Sequence, residues 1–159
     1  WEYACRAGTT TPWSFGGLER IAALGEYAWY AGEANAQEPR DAGGKKPNAW
    51  GLYDMHGNVS EWCGDRYAAD TYSWAPTDNP AGPETGMFRV IRGGSCHNLW
   101  ARNPEFARSS SRAYGHPDIR VNTVGFRIVV EAGGKETVTD KSRVPSTAVA
   151  DSRTRGIDK

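Results

Sequence analysis

The residues able to do chemistry fall into three groups along the chain. The first is Asp54 to Glu61. These two carboxylates bracket a tight turn at Gly57-Asn58, and the backbone between them exposes the carbonyls of Gly57 and Val59. Two carboxylates with two carbonyls form an all-oxygen set of the kind a hard cation such as calcium takes. The same residues would serve a plain structural turn, with Asp54 bonding nearby amides and Glu61 paired to an arginine. His56 sits at this turn with no second nitrogen or sulfur ligand near it in sequence. It is expected to face solvent and makes a poor transition-metal site.

The second group is the thiols Cys5, Cys63 and Cys96. Their number is too small and too odd for a disulfide framework. One bridge with a free thiol, or three reduced thiols, both remain open, and so does the compartment. Cys96, next to Ser95, is a weak catalytic candidate. A nucleophilic cysteine must be a thiolate in a suitable field.

The third group runs from Cys96 to Thr123. It holds His97, Asn98, Trp100, Arg102, Asn103, Arg108, Arg112, Tyr114, His116, Arg120 and Asn122. Arginine, tyrosine and tryptophan dominate binding hot spots because they join contact area to directed hydrogen bonds. Ligand-binding candidates are His97, Asn98, Trp100, Arg102, Arg108, Arg112, Tyr114 and His116. The competing expectation is that the arginines tie long loops together through backbone carbonyls. No nucleophile motif accompanies Ser95 and the three histidines. Gly43-Gly44-Lys45 is too short for a phosphate loop and lacks its Ser or Thr and its helix.

The elements that must position these groups are short. Trp1 to Ala7 reads as a helix ending at Gly8. Leu18 to Tyr30 reads as a short helix followed by an extended piece, and Glu33 to Pro47 as a loop with two proline breaks. The residues after Gly57-Asn58 alternate as a strand does. Arg89 to Gly94 reads as a strand entering a glycine corner, and Val124 to Val130 as a final strand. Tyr67 to Gly86, with Pro76, Pro80 and Pro83, reads as a long loop, and Ser95 to Thr123 as irregular.

The chain of 159 residues carries 19 basic and 19 acidic side chains, so no charge excess argues for nucleic acid or a polycation. No apolar run approaches the roughly 20 residues of a membrane helix. Seven Trp, seven Tyr and 19 Gly, with few aliphatics, suit a loop-rich fold with an aromatic core. Trp1, Trp29, Trp50 and Trp62 are expected in that core, and Trp100 is expected to be exposed. From Glu131 to Lys159 there are no aromatics and no apolar period. Such a tail cannot offset its ordering entropy and is expected to be disordered.

Four segments in order, WEYACRAGTTTPWSFG, PNAWGLYDMHGNVSEW, RVIRGGS and VGFRIVV, resemble the formylglycine-generating enzyme, or sulfatase-modifying factor, superfamily. The resemblance covers residues 1–130. It implies an α+β, C-type-lectin-like fold, loop-rich with short antiparallel strands. It also implies a further N-terminal half, so this chain is expected to be truncated at the front. Relatives similar at Asp54, Gly57, Val59 and Glu61 bind calcium there. The oxidase branch holds copper with two cysteines three and eight residues beyond the Gly-Gly-Ser serine. Here those positions are Asn98 and Asn103. Neither amide replaces a thiolate, so the resemblance does not carry copper chemistry over. What it implies is an accessory domain binding a peptide, protein or small molecule. An oxidoreductase acting on protein cysteine is the alternative.

Overall fold

The computed structural model describes residues 1–32, 38–76, 78, 80–97 and 103–130. The expected disordered tail, residues 131–159, and three of the ligand-binding candidates, Asn98, Trp100 and Arg102, lie outside the described residues. Residues Trp1–Ile128 form one compact unit.

Helix α1 spans Glu2–Arg6 and is braced by the Arg6–Glu2 ion pair one turn apart. It stops where Ala7 and Gly8 both enter the left-handed region, at φ 47° and 90°. A 3-10 turn, Leu18–Ala23, leads directly into α2, Leu24–Tyr27, and Ala28 is extended. Strand β1 covers Ser60–Arg66 and β2 covers Arg89–Arg92. Between them lies α3, Thr71–Trp74, a single turn inside what the sequence reads as plain loop. After β2 come a 3-10 turn at Pro104–Ala107, strand β3 at Ala113–Gly115 and strand β4 at Val124–Phe126.

The four strands form one sheet in the order β3-β2-β1-β4. The β1–β2 and β2–β3 pairs are antiparallel, with Trp62 opposite Ile91 and Val90 opposite Tyr114. The expectation of antiparallel strands fails at β4, which runs parallel to β1 with Trp62 opposite Phe126. The reason is topological. After β3 the chain crosses past β2 and β1 to the opposite edge of the sheet and enters beside β1 in the same direction. The architecture is mixed α+β.

The core differs from the expected one. Trp13 is fully buried and clusters with Leu24, Ala28 and Ala107, with Phe15 and Tyr30 against them. Trp50, expected inside, is 48% exposed and rests edge-on against Tyr3. Trp1, Trp29 and Trp62 are half-buried. The cations explain part of this. Lys45 sits 3.7 Å above the Trp29 ring and Arg92 lies 5.3 Å from that of Trp1, so these indoles mediate between core and charge.

Two asparagines knit the loops. Asn48 donates to the carbonyls of Ala4 and Cys5 and accepts from the amides of Trp50 and Leu52. Asn58 exchanges bonds with both backbone groups of Arg40, donates its amide to Trp29 O and accepts from Cys96 N–H. Gly57 makes that junction possible. A Cβ there would stand 2.2 Å from the Trp29 carbonyl oxygen. Arg92, buried on β2, donates to the carbonyls of Ser109, Ser110 and Ser111 and pairs with Glu2, tying α1 to the segment ahead of β3. Arg92 thus ties loops through their carbonyls, although it lies outside the Cys96–Thr123 arginines for which such ties are expected.

Candidate functional site

The Asp54–Glu61 turn is buried apart from the half-buried Val59 and Ser60. Asp54 adopts φ 58°, and its Oδ2 accepts from the Gly43 amide at 2.8 Å. Its Oδ1 is buried and has no hydrogen-bond partner among the described residues. That orphaned carboxylate oxygen fits a cation ligand. Glu61 is placed differently. Arg127 grips both of its oxygens, at 2.7 and 3.0 Å, and Trp1 Nε1 donates to Oε2 at 2.7 Å. Arg127 also donates to Tyr53 O, so the guanidinium is fixed from two sides. Glu61 thus already has a countercharge. A calcium ion here would have to share it. Among the described residues no three His, Cys, Asp or Glu side chains converge as a metal cluster.

His56 corrects an expectation. It is 2% exposed rather than solvent-facing. Its Nδ1 lies 2.8 Å from the Ala107 carbonyl and therefore carries the proton. Its Nε2 accepts from the Ser14 amide at 3.1 Å and lies 2.8 Å from the Ser14 hydroxyl. Phe15 presents its edge to the ring. Burial holds the imidazole down at a pKa of about 4. Cys5 Sγ lies 3.9 Å from both ring nitrogens and 3.4 Å from Ser109 Oγ. This buried Cys–His contact is no activated nucleophile. Burial pushes the Cys5 thiol up to about 11, and the neutral imidazole has its acceptor nitrogen occupied. Nothing in sequence spacing pairs these residues. The available signal was His56's setting between Met55 and Gly57, in a run from Leu52 to Val59 with Asp54 as its one charge.

All three cysteines are free. Cys96 is fully buried, and burial raises its thiol pKa, as it does for Cys63. Asn103, at the second of the two copper-cysteine positions, caps the 3-10 turn by accepting the Glu105 amide.

The described ligand-binding candidates divide into separate environments. His97 is exposed. Arg108 pairs with Glu105 and lies 5.7 Å from the Trp13 ring centroid, so it lids the core. Arg112, Tyr114 and His116 come together on and beside β3. Tyr114 packs on Tyr67 at 4.4 Å and Phe88 at 5.1 Å between ring centroids. His116 meets Phe88 edge-on and lies 3.4 Å from the exposed Asp118. The Arg112 guanidinium lies over the rings of Tyr67 and Tyr72, 5.1 and 4.8 Å from their centroids. Tyr67, Tyr72 and Phe88 were outside the residues expected from sequence, because they come from the segment after β1 and from the residue that enters β2.

Among the described residues no helix is long and apolar enough to cross a membrane. The sulfatase-modifying factor enzyme 1-like domain model matches residues 1–132. The formylglycine-generating enzyme of Streptomyces coelicolor is 40% identical over 89 residues, which is 55% of this chain and 27% of that protein. Serine/threonine-protein kinase pkn1 of Chlamydia pneumoniae is 42% identical over 83 residues, 51% of this chain and 13% of that protein. Among solved structures, Treponema denticola variable protein 1 superposes with a TM-score of 0.64 at 34% identity, over 79% of this chain and 43% of that one. The chain spans less than half the length of each of these relatives. The match takes in all four motifs and every described element, and the chain belongs to the sulfatase-modifying factor enzyme 1-like domain family.

Proposed function

We propose that this domain is a non-oxidase member of its family, recognising a peptide, protein or small ligand through the surface between Cys96 and Thr123. The observation that carries this is the pair Asn98 and Asn103 at the positions where the oxidase branch has its copper cysteines. Supporting it, the neighbouring Cys96 thiol is buried and held protonated. The relatives include proteins named as an enzyme, a kinase and a variable protein, so family membership alone carries no activity. A C-type-lectin-like organisation belongs to the same proposal. The short strands and long loops favour it.

The test is a copper(I) titration of reduced protein with Cys96→Ser alongside, followed by aerobic incubation with a cysteine-containing peptide and mass spectrometry. Weak binding unaltered by the substitution, and an unmodified peptide, are expected. Tight binding lost in Cys96→Ser, or conversion of the peptide thiol to an aldehyde, would restore the oxidoreductase reading.

A structural calcium ion at the Asp54–Glu61 turn is a second proposal, favoured by the buried, unpartnered Oδ1 of Asp54. Asp54 and the Gly57 and Val59 carbonyls would hold it, with Glu61 shared with Arg127. Calcium at millimolar concentration is expected to raise Tm by linkage, and Asp54→Asn to abolish the rise. An equal response of both proteins would overturn it.

A further inference from the structure

Strand β3 is the outer strand of the sheet. It pairs with β2 on one side, and among the described residues no strand pairs with its other side. Its Ala113 and Tyr114 are exposed. Alternation along the strand puts positions 112, 114 and 116 on one face. The ring contacts of Tyr114 and His116 with Phe88 agree with that placement.

Arg112 differs from four other arginines of this fold. Arg6, Arg92, Arg108 and Arg127 each pair with a glutamate. Arg112 has no carboxylate partner among the described residues. Its guanidinium carbon lies over the rings of Tyr67 and Tyr72, 5.1 and 4.8 Å from their centroids, and its hydrogen bonds, to Ala68 O and Thr71 Oγ1, are both long at 3.4 Å. A guanidinium over aromatic rings whose own hydrogen bonds are long keeps N–H donors for a planar oxyanion. Two residues along the same face, Tyr114, Phe88 and Tyr67 form a continuous ring surface, with Tyr114 54% exposed. Beyond it, Asp118 beside His116 puts a negative charge at the opposite end.

We propose that β3 receives an extended peptide as an added strand. A carboxylate of the peptide lies on Arg112, and an apolar or aromatic side chain two residues away lies on the Tyr114–Phe88–Tyr67 surface. The open strand edge favours a peptide over other carboxylates. It supplies main-chain donors and acceptors at strand spacing, while alternate side chains meet the charge and the rings. Asp118 sets the direction by repelling a carboxylate placed at the wrong end. The inference rests on the binding reading above and names its ligand class.

The test uses the whole chain and two capped pentapeptides, VFTEV and its neutral counterpart VFTQV, with affinity read by calorimetry. VFTEV is expected to bind at least about tenfold more tightly, the factor a charge-assisted hydrogen bond supplies. Arg112→Gln should erase that preference, and Tyr114→Ser, on an exposed ring, should weaken both peptides while keeping it. Equal affinity of the two peptides, absence of binding by either, or a preference that survives Arg112→Gln would overturn the proposal. So would sodium glucuronate binding more tightly than VFTEV. The copper titration is independent of these outcomes. Failure here leaves the non-oxidase reading standing, whereas a copper site would remove that reading and the footing of this inference with it.

Discussion

At His56 both ring nitrogens are engaged, and the engagement depends on charge. Nδ1–H donates to Ala107 O, while Nε2 must stay unprotonated to accept from Ser14. Protonation turns the acceptor into a donor facing an amide donor. The folded pKa, about 4, lies below the ordinary value near 6.5. Above that ordinary value the ring is neutral in both folded and unfolded chains, and the full stability is present. As pH falls from about 6.5 toward about 4, the unfolded chain takes up the proton first and stability is lost. The loss should be on the order of 3 kcal/mol. Thermal melts across this range should show a falling Tm that His56→Gln flattens while lowering its upper plateau. An unchanged slope in the variant would assign the acid sensitivity to other groups. Sequence reasoning left His56 in solvent because a lone histidine at a glycine turn reads as exposed, against which the run from Leu52 to Val59 with its one charge was a faint signal. The same limit applies to Trp13. Its neighbours Pro12 and Ser14 look like loop, and only the fold shows that Leu24, Ala28 and Ala107 close over it. Trp50 misled in the opposite direction, because a ring in a chain with few aliphatics reads as core. Glu61 was legible in one of its two open readings, since the arginine pairing weighed there is present.

Elements with a periodic or punctuated sequence were legible, and those fixed by long-range pairing were not. Alternation after Gly57-Asn58 marked β1, and Arg89 to Gly94 marked β2 with its glycine corner, where Gly93 and Gly94 take φ 95° and 73°. Strand β3 escaped notice because Ala113-Tyr-Gly115 is too short to alternate and exists through its pairing with β2. Strand β4 is shorter than expected, ending at Phe126 rather than Val130. The register explains the stop. Trp62 opposite Phe126 is the last parallel pair, and β1 becomes irregular between Trp62 and Arg66. Helix α3 is a single turn held by Thr71 Oγ1 on Ala68 O, below the length at which apolar period is informative. Of the candidate binding face, sequence offered the β3 side, Arg112, Tyr114 and His116, but not the partners that join them. Tyr67 and Phe88 are 47 and 26 positions before Tyr114 in the chain, and the sheet supplies the connection.

Across the whole molecule, apolar side chains remain uncovered at the β4 end. Phe126 is 76% exposed and Ile128 77% exposed, and Val121 is also open to solvent. Large uncovered apolar surface normally marks an interface or an association hazard. The chain also spans less than half of the relatives it matches. Replacing Phe126 and Ile128 together by serine should change stability by less than about 0.5 kcal/mol per site, because neither is buried. It should also shift sedimentation profiles toward the monomer. A marked drop in Tm would mean that these side chains stabilise the fold in a way their exposure does not suggest.

The parallel seam between β1 and β4 has a consequence for synthesis. Ser60 pairs with Val124, so the seam joins positions 64 apart in the chain. The ion pair from Arg127 to Glu61 reaches just as far. A nascent chain leaving the ribosome can form the β1–β2 pair early, but the edge beside β1 stays open until the last strand has emerged. Contacts of such sequence separation form slowly, after the local ones. Translation past Arg127 is therefore the event that closes the sheet, and a pause upstream of Val124 would leave β1 exposed to whatever other strand is nearby.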